Sequence, residues 1–247
     1  FGALKAAVEA HKAKAGAIVV LDVRSGEILA LANLPTYNPN NRAKLTGAQL
    51  RNRVMTDSFE PGSTLKPFTV GLAMETGRVT PQTVIQTAPG SLTIANYTIH
   101  DAHAGGAMSV AQVIQKSSNV GAAKIALQLP REEMHAMFRR VGFGAAPRLG
   151  FPGESAGRLR EAKTWRPIEQ ATMAYGHGIS VSLIQLARSY TVFARDGEIA
   201  PLSLLKTGPA MAPGERVFSP EVARALREML EAAVQPGGTA PRARIVG

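Results

Sequence analysis

Residues 57–68 read Asp-Ser-Phe-Glu-Pro-Gly-Ser-Thr-Leu-Lys-Pro-Phe and hold the strongest structural signals of the chain. Pro61-Gly62 marks a turn, and Ser63 is a residue type that opens helices. The apolar residues that follow can form one buried helical face. We therefore predict a helix that begins near Ser63. Pro67 has no N–H for the Ser63 carbonyl, but that would be the first bond of the helix, so no earlier turn is broken.

Ser63 and Lys66 form a Ser-x-x-Lys pair, and residues three apart lie on one face of a helix. A serine hydroxyl becomes a strong nucleophile when a neighbouring base takes its proton, and a lysine is such a base only where its pKa is lowered. The helix start adds partial positive charge that stabilises an oxyanion. Taken alone, the pair is more often a helix N-cap followed by a solvated lysine, so a catalytic interpretation needs a second motif.

The composition restricts the class of protein. A chain of 247 residues suits one large domain or two small ones. Lys and Arg number 28 against 18 Asp and Glu, a net charge of +10, but the cations are scattered and aromatic residues are few, which disfavours nucleic-acid binding. The basic surface suits anionic polymers or membrane surfaces. The absence of cysteine excludes disulfides and thiolate metal sites.

Local patterns predict helices and antiparallel strands in alternation. Strands 17–23 and 27–31 form a hairpin. Further strands are predicted at 83–86, 91–99 and 199–205. Helices are predicted at 3–14, 107–116, 120–129, 131–141, 168–175, 182–195 and 220–234. Segments 35–53 and 142–157 are predicted loops.

A second motif, Ser117-Ser118-Asn119, lies on the predicted connection between two helices. Such a triplet offers a hydroxyl that can relay a proton and an amide that can hold a substrate amide. Taken alone, it is more often a polar turn that caps the next helix. Its occurrence after Ser-x-x-Lys raises the weight of the catalytic interpretation.

With both motifs in view, the chain resembles the penicillin-binding proteins and serine β-lactamases. Four segments are similar to class B penicillin-binding proteins, the monofunctional transpeptidases: 60–67, 116–121, 150–154 and 183–188. Segments 51–53 and 213–218 are similar to the division-specific branch. The resemblance covers nearly all of residues 1–247, which we interpret as a transpeptidase domain.

The resemblance implies an α/β (α+β) fold, in which an antiparallel sheet is flanked by helices and joined by an all-helical lobe, with the active site between them. Ser63 corresponds to the acylated nucleophile and Lys66 to its base. Ser117 corresponds to a proton shuttle, and Asn119 to a contact with a substrate amide. No metal or cofactor is required by this chemistry.

The same resemblance implies a peptidoglycan D,D-transpeptidase of septal cell-wall synthesis. Its substrates are peptidoglycan stem peptides ending in D-Ala-D-Ala, and β-lactam antibiotics acylate the same serine. The family also implies division-machinery membrane proteins as partners, and a place on the periplasmic face of the bacterial inner membrane, with a membrane anchor outside this sequence.

The triplet Lys206-Thr207-Gly208 looks like the third family motif, Lys-Thr-Gly. We reject it, because the next residue is Pro209, which has no N–H to donate to the oxyanion. We expect the functional third motif beyond Gly247, so that the domain is incomplete at its C-terminal end.

Two other functions remain open at this point. One is a serine β-lactamase or β-lactam sensor, for which Glu154 and Glu169 are positional candidates to activate a deacylating water. The other is a binding fragment without catalytic activity. His177, in a Gly-His-Gly loop, stands where the division branch leads us to expect an aromatic residue, and we interpret it as structural.

Overall fold

The structure is a computed structural model that describes residues 1–103, 105–208 and 212–245. Within them, the buried apolar side chains form three clusters. The largest cluster surrounds the helix that follows Ser63, so the strongest motif of the sequence starts at the centre of the fold. Pro209, which carries the sequence argument against the Lys206 triplet, lies outside the described residues.

The described residues form ten α-helices. They are α1 (Gly2–Ala10), α2 (Gly47–Leu50), α3 (Arg53–Thr56), α4 (Lys66–Glu75), α5 (Val110–Gln115), α6 (Asn119–Ala126), α7 (Arg131–Arg140), α8 (Pro167–Met173), α9 (Leu183–Ala194) and α10 (Pro220–Val234). Helices α4 to α8 and α10 make up most of a helical lobe, in agreement with the predicted fold class. The short helix α2 interrupts the predicted loop 35–53, and α3 begins at the last residue of that loop.

Ten strands in the same residues pair into five antiparallel ladders. The strands are β1 (Gly16–Leu21), β2 (Ile28–Leu34), β3 (Ser58–Phe59), β4 (Val84–Gln86), β5 (Ser91–Ile94), β6 (Tyr97–His100), β7 (Ala107–Ser109), β8 (Val181–Ser182), β9 (Glu198–Ile199) and β10 (Glu215–Arg216). The pairs are β1–β2, β3–β8, β4–β7, β5–β6 and β9–β10. Their antiparallel pairing agrees with the predicted α+β class.

Three sequence predictions of secondary structure need correction. The predicted strand 91–99 is a hairpin, because Ala95 turns the chain with a φ of 52°. The predicted helix 107–116 begins only at α5, because residues 107–109 pair with β4 as a strand. The predicted strand 199–205 is short: β9 ends at Ile199, and Ser203 makes an isolated bridge to Glu27.

The β1–β2 hairpin is confirmed, with Gly16 opposite Leu34. Helix α1 crosses it closely, since a Cβ on Gly16 would come within 2.7 Å of Val8 Cγ2. Val19 belongs to a cluster with residues of α3 and α9, whereas its neighbour Ile18 is exposed. This alternation follows from the period of two along a strand. The hairpin therefore packs one face against α9, the helix that also reaches the candidate site.

Helix α4 is almost wholly buried, and its aromatic residue Phe68 anchors it. The Phe68 ring packs edge-on against Phe143 at 5.7 Å and against Tyr190 of α9 at 5.5 Å between centroids. Edge-to-face aromatic pairs add stability beyond the area they bury. The first turn of α4, with its functional side chains, is thus held by a rigid core.

Candidate active site

The nucleophile turn, residues 62–65, is a short 3₁₀-helix that leads directly into α4. Because Pro67 cannot donate to the Ser63 carbonyl, the N–H of Lys66 donates to it instead, which closes a tighter three-residue turn. The Thr64 hydroxyl donates to the Pro61 carbonyl at 2.7 Å. The predicted α-helix therefore begins at Lys66, and Ser63 lies in the 3₁₀ turn before it with its side chain exposed.

Lys66 is only 2 % exposed, although it is a cation. Its ammonium donates to Ser63 Oγ at 2.9 Å, to the Ser117 carbonyl at 2.6 Å and to Ser117 Oγ at 2.8 Å. Burial lowers the pKa of Lys66 from 10.5 to about 8, against the nearby charge of Asp101, which raises it. Lys66 therefore has both the contact and the reduced basicity that a general base for Ser63 needs.

Ser117 reaches Lys66 because the chain turns sharply between α5 and α6. Its φ of 56° is left-handed, a conformation that is uncommon for residues other than glycine. Ser118 then caps α6, accepting a hydrogen bond from the N–H of Gly121 at 2.8 Å. The turn thus directs both the carbonyl and the hydroxyl of Ser117 at the Lys66 ammonium.

Asn119, the predicted contact with a substrate amide, is the first residue of α6. Its Nδ2 donates to the His100 carbonyl at 3.0 Å. The side chain lies on the same turn as Ser117, and its bond to β6 fixes its direction. Its role toward substrate stays a prediction.

A second loop, residues 176–178, contacts the nucleophile turn and the residues just before it. Strand β3 pairs with β8, and the contact continues as Glu60 Oε1 accepts from the N–H of Gly178 at 2.8 Å. Glu60 Oε2 lies 3.1 Å from His177 Nδ1. Gly176 lies so close to Gly62 that a Cβ on it would be 2.2 Å from the Gly62 carbonyl oxygen. His177 thus contacts a support of the nucleophile turn, in agreement with its structural interpretation.

Two residues that the sequence did not single out also belong to the site. The Tyr190 hydroxyl donates to the Thr64 carbonyl at 2.8 Å, and burial raises the pKa of that phenol. Asp101 accepts hydrogen bonds from the hydroxyl of Ser118, in the second motif, and from the N–H of Val120, the residue just after that motif. Each acts across a long sequence separation, so no local pattern could have identified it.

A cavity of about 180 Å³ opens over Ser63. It is lined by Ser63, Thr64, Lys66, Pro67, Ile114, Ser117, Tyr190, Leu230, Ala233 and Thr239. A larger polar cavity of about 720 Å³ shares Ser117 and Thr239 in its lining and also contains Asp101 and Lys116. Ser63 and Lys66 therefore lie in a cleft next to a space of ligand size.

The triplet Lys206-Thr207-Gly208 does not line either cavity. The N–H of Gly208 donates to Glu27 at 3.0 Å, and the Thr207 hydroxyl donates to the same carboxylate oxygen at 3.0 Å. Glu27 lies at the start of β2, so the triplet caps that end of the hairpin. This position agrees with the rejection of the triplet, and a third motif beyond Gly247 stays a prediction.

The two carboxylates considered for activating a deacylating water are engaged elsewhere. Glu169 is bound to Arg160 at 2.9 Å and caps the start of α8. The backbone N–H of Arg166, which donates to Glu169 at 2.7 Å, is the largest factor that lowers the pKa of Glu169 to about 2. Glu154 accepts from the N–H of Phe151 at 2.8 Å. Neither carboxylate lines the cavity that holds Ser63.

Comparison with protein families identifies the group to which this geometry belongs. The model of the penicillin binding protein transpeptidase domain matches residues 16–247. The chain belongs to the penicillin-binding protein transpeptidase family. It is 44 % identical to the probable peptidoglycan D,D-transpeptidase PenA of Neisseria gonorrhoeae, over 99 % of this chain and 42 % of that protein.

Two further comparisons indicate the same family. The peptidoglycan D,D-transpeptidase FtsI of Escherichia coli K12 is 41 % identical over 99 % of this chain and 41 % of that protein. The apo structure of the TP domain of Burkholderia pseudomallei penicillin-binding protein 3 superposes with a TM-score of 0.90 at 51 % identity, covering 98 % of this chain and 69 % of that one. The chain spans about two-fifths of the length of these curated relatives. The predicted class B membership and fold class are confirmed.

Proposed function

We propose that this chain is the catalytic domain of a peptidoglycan D,D-transpeptidase that acts in septal cell-wall synthesis. The observation that carries the proposal is the position of the Lys66 ammonium, between Ser63 Oγ at 2.9 Å and Ser117 Oγ at 2.8 Å. A nucleophile, a base of reduced basicity and a second hydroxyl are thereby joined in one chain of hydrogen bonds. The names of the relatives, D,D-transpeptidases of the FtsI and PenA types, support the same reaction.

In the acylation step, neutral Lys66 takes the proton of Ser63 Oγ while that oxygen attacks the carbonyl carbon of the penultimate D-alanine. With a pKa of about 8, roughly one Lys66 in ten is neutral at pH 7. The developing oxyanion lies near the start of a helix, where backbone N–H groups lack intrahelical acceptors. The C–N bond to the terminal D-alanine then breaks, and Ser117 Oγ relays the proton from Lys66 to the departing amine.

In the second step, an amine of a neighbouring stem peptide attacks the acyl-serine carbonyl. The proton of that amine passes through Ser117 and Lys66 to Ser63 Oγ, while the new C–N bond forms and the ester bond to Ser63 Oγ breaks. The larger polar cavity beside Ser117 is a suitable place for a peptide chain. Asn119 contributes its remaining hydrogen-bonding capacity to a substrate amide.

A β-lactam acylates Ser63 by the same step. Because the C–N bond that breaks lies in its ring, the amine stays attached to the acyl group and does not depart. Glu154 and Glu169 are both engaged outside the cavity. Neither carboxylate is therefore placed to activate a water for fast hydrolysis of the acyl-serine. We therefore expect a long-lived acyl-enzyme, which is the behaviour of a transpeptidase target and not of a β-lactamase.

We further propose that the domain works on the periplasmic face of the bacterial inner membrane, with division-machinery membrane proteins as partners. Its resemblance to the division branch supports this, as do relatives of the FtsI type. In the described part of the chain, no helix has both the length and the apolar character that crossing a membrane requires. The proposed anchor is therefore assigned to no described segment.

A fluorescent penicillin tests the proposal. In the domain extended beyond Gly247 through its expected third motif, we expect the label at Ser63, its absence from Ser63→Ala, and its retention on Ser58→Ala, which removes an exposed hydroxyl of β3. Release of D-alanine from a stem pentapeptide should follow the same pattern. Labelling of Ser63→Ala at the parent's rate would refute the assignment, and a label lost within minutes would favour a β-lactamase.

A further inference from the structure

The end of α5 forms one side of the larger cavity. Gln112 and Lys116 both line this cavity, as expected for residues four apart, which lie on one face of a helix. Residues 237–239 line it as well. Its volume is about 720 Å³, against about 180 Å³ for the cavity over Ser63. A peptide that reaches Ser63 therefore has most of its room beside α5.

Lys116 is an exposed cation in the lining of this larger cavity. A lysine ammonium has three N–H donors and no acceptor. In the described part of the chain, the lysines whose ammonium groups form hydrogen bonds or ion pairs are Lys5, Lys66 and Lys124. Lys116 is not among them, so its donors face the cavity without a bonded protein acceptor.

Asp101 is the acidic side chain of the same lining. Its Oδ2 accepts from the Ser118 hydroxyl at 2.7 Å, and its Oδ1 accepts from the N–H of Val120 at 2.9 Å. Both oxygens are thus directed at the turn between α5 and α6. His103, which also lines the cavity, adds a ring nitrogen that can donate a hydrogen bond. An anion in this space therefore finds donors and an unneutralised positive charge.

We propose that Lys116 determines substrate specificity by binding a free carboxylate of the donor stem peptide, on the residues that precede D-Ala-D-Ala. This inference rests on the proposed function, because it names the part of the substrate that occupies the larger cavity. The reacting carbonyl lies at Ser63, and Ser117 lines both cavities, so the preceding residues can pass Ser117 into the larger one. Lys116 is the chain neighbour of Ser117, and its ammonium meets the peptide there.

Two pentapeptides test the proposal. Both end in D-Ala-D-Ala, but the carboxyl groups of the preceding residues are free in one peptide and are carboxamides in the other. The measurement is kcat/KM for D-alanine release by the domain extended beyond Gly247. No acceptor peptide is added, so that a carboxylate on the acceptor strand has no influence. An ion pair in an exposed cleft should favour the free peptide roughly fivefold, and the ratio should fall towards one as added salt screens the charges.

Three variants assign this selectivity to Lys116. Lys116→Gln removes the charge but keeps an N–H donor, and it should bring the ratio of the two kcat/KM values close to one. Lys116→Arg keeps the charge and should keep the ratio. Lys124→Gln is the matched control, because Lys124 lies on α6, donates to the Gln86 carbonyl and does not line the cavity. We expect this control to have the ratio of the parent.

Each outcome decides the matter. A parent ratio near one refutes the proposal, and so does a parent-like ratio in Lys116→Gln. An equal fall in Lys124→Gln would refute it too, because the preference would then come from the basic surface in general. If penicillin fails to acylate Ser63 in the parent, the proposed function fails. NMR titration of Ser63→Ala with the two peptides, with and without Lys116→Gln, then still tests whether Lys116 selects the carboxylate.

Discussion

Gly176 packs against the backbone just before Ser63, and an alanine there should displace Ser63. Its φ is +84°, and its Cβ would lie 2.2 Å from the carbonyl oxygen and 2.3 Å from the nitrogen of Gly62. Gly178, two residues on, has a φ of +80° and nothing within 4 Å of its would-be Cβ. Alanine at either position has the same backbone strain, but only Gly176→Ala adds a collision.

The sizes of the two effects follow from these distances. A left-handed alanine costs about 1–2 kcal/mol, which applies to both variants. In Gly176→Ala the contact must open from 2.2 Å to the ordinary 3.4 Å, a movement of about 1.2 Å, and overpacking of this kind adds about 1–3 kcal/mol. We expect Gly178→Ala to lose about 1–2 kcal/mol of stability and Gly176→Ala about 2–5 kcal/mol.

Acylation should separate the variants further. If the Gly62 backbone moves by about 1 Å, Ser63 leaves its position beside Lys66, and such a misplacement costs on the order of a hundredfold in rate. The assay is the rate of labelling by fluorescent penicillin, measured below the melting temperature found for each variant by circular dichroism. Equal labelling rates in folded Gly176→Ala and Gly178→Ala would show that the close approach does not position the nucleophile.

Three more changes test other parts of the site. Lys66→Ala should nearly abolish labelling, and the parent rate should rise with pH through about 8 as Lys66 loses its proton; a flat pH profile would remove Lys66 as the base. Tyr190→Phe keeps the ring against Phe68 but loses the hydrogen bond to the Thr64 carbonyl. We expect thermal unfolding to show about 1 kcal/mol less stability, and labelling by penicillin to be slower. Parent-like values in both measurements would contradict this. Lys206→Ala should leave the labelling rate within about twofold of the parent, because a solvated surface side chain contributes little, and a loss as large as that of Lys66→Ala would restore the triplet to the site.

The two motifs could be found in the sequence because each is a local pattern. Ser63 and Lys66 are three residues apart, and their contact needs only one helical turn. The approach of Ser117 to Lys66 spans 51 residues, and it could be expected only through the family resemblance. Asp101 and Tyr190 belong to no motif, and their roles follow from packing between distant segments.

The same distinction explains the errors in secondary structure. Long helices such as α9 and α10 were found because their apolar positions repeat with the helical period. The sequence predicts helix at residues 107–109 because nothing local marks them as a strand; only their pairing with β4 does so. The turn at Ala95 was missed because alanine gives no turn signal, although its φ is 52°.

The burial of Lys66 makes the two motifs depend on each other. A buried cation without partners costs several kcal/mol, and two of the three acceptors of this ammonium belong to Ser117, in a left-handed conformation. The start of α4 can therefore stay buried only while the 117–119 turn holds its shape. Bonds from Asp101 hold that turn, so the groups that orient the base also offset the cost of burying it. The arrangement proposed for the acylation of Ser63 and the arrangement that stabilises the helix are therefore the same set of bonds.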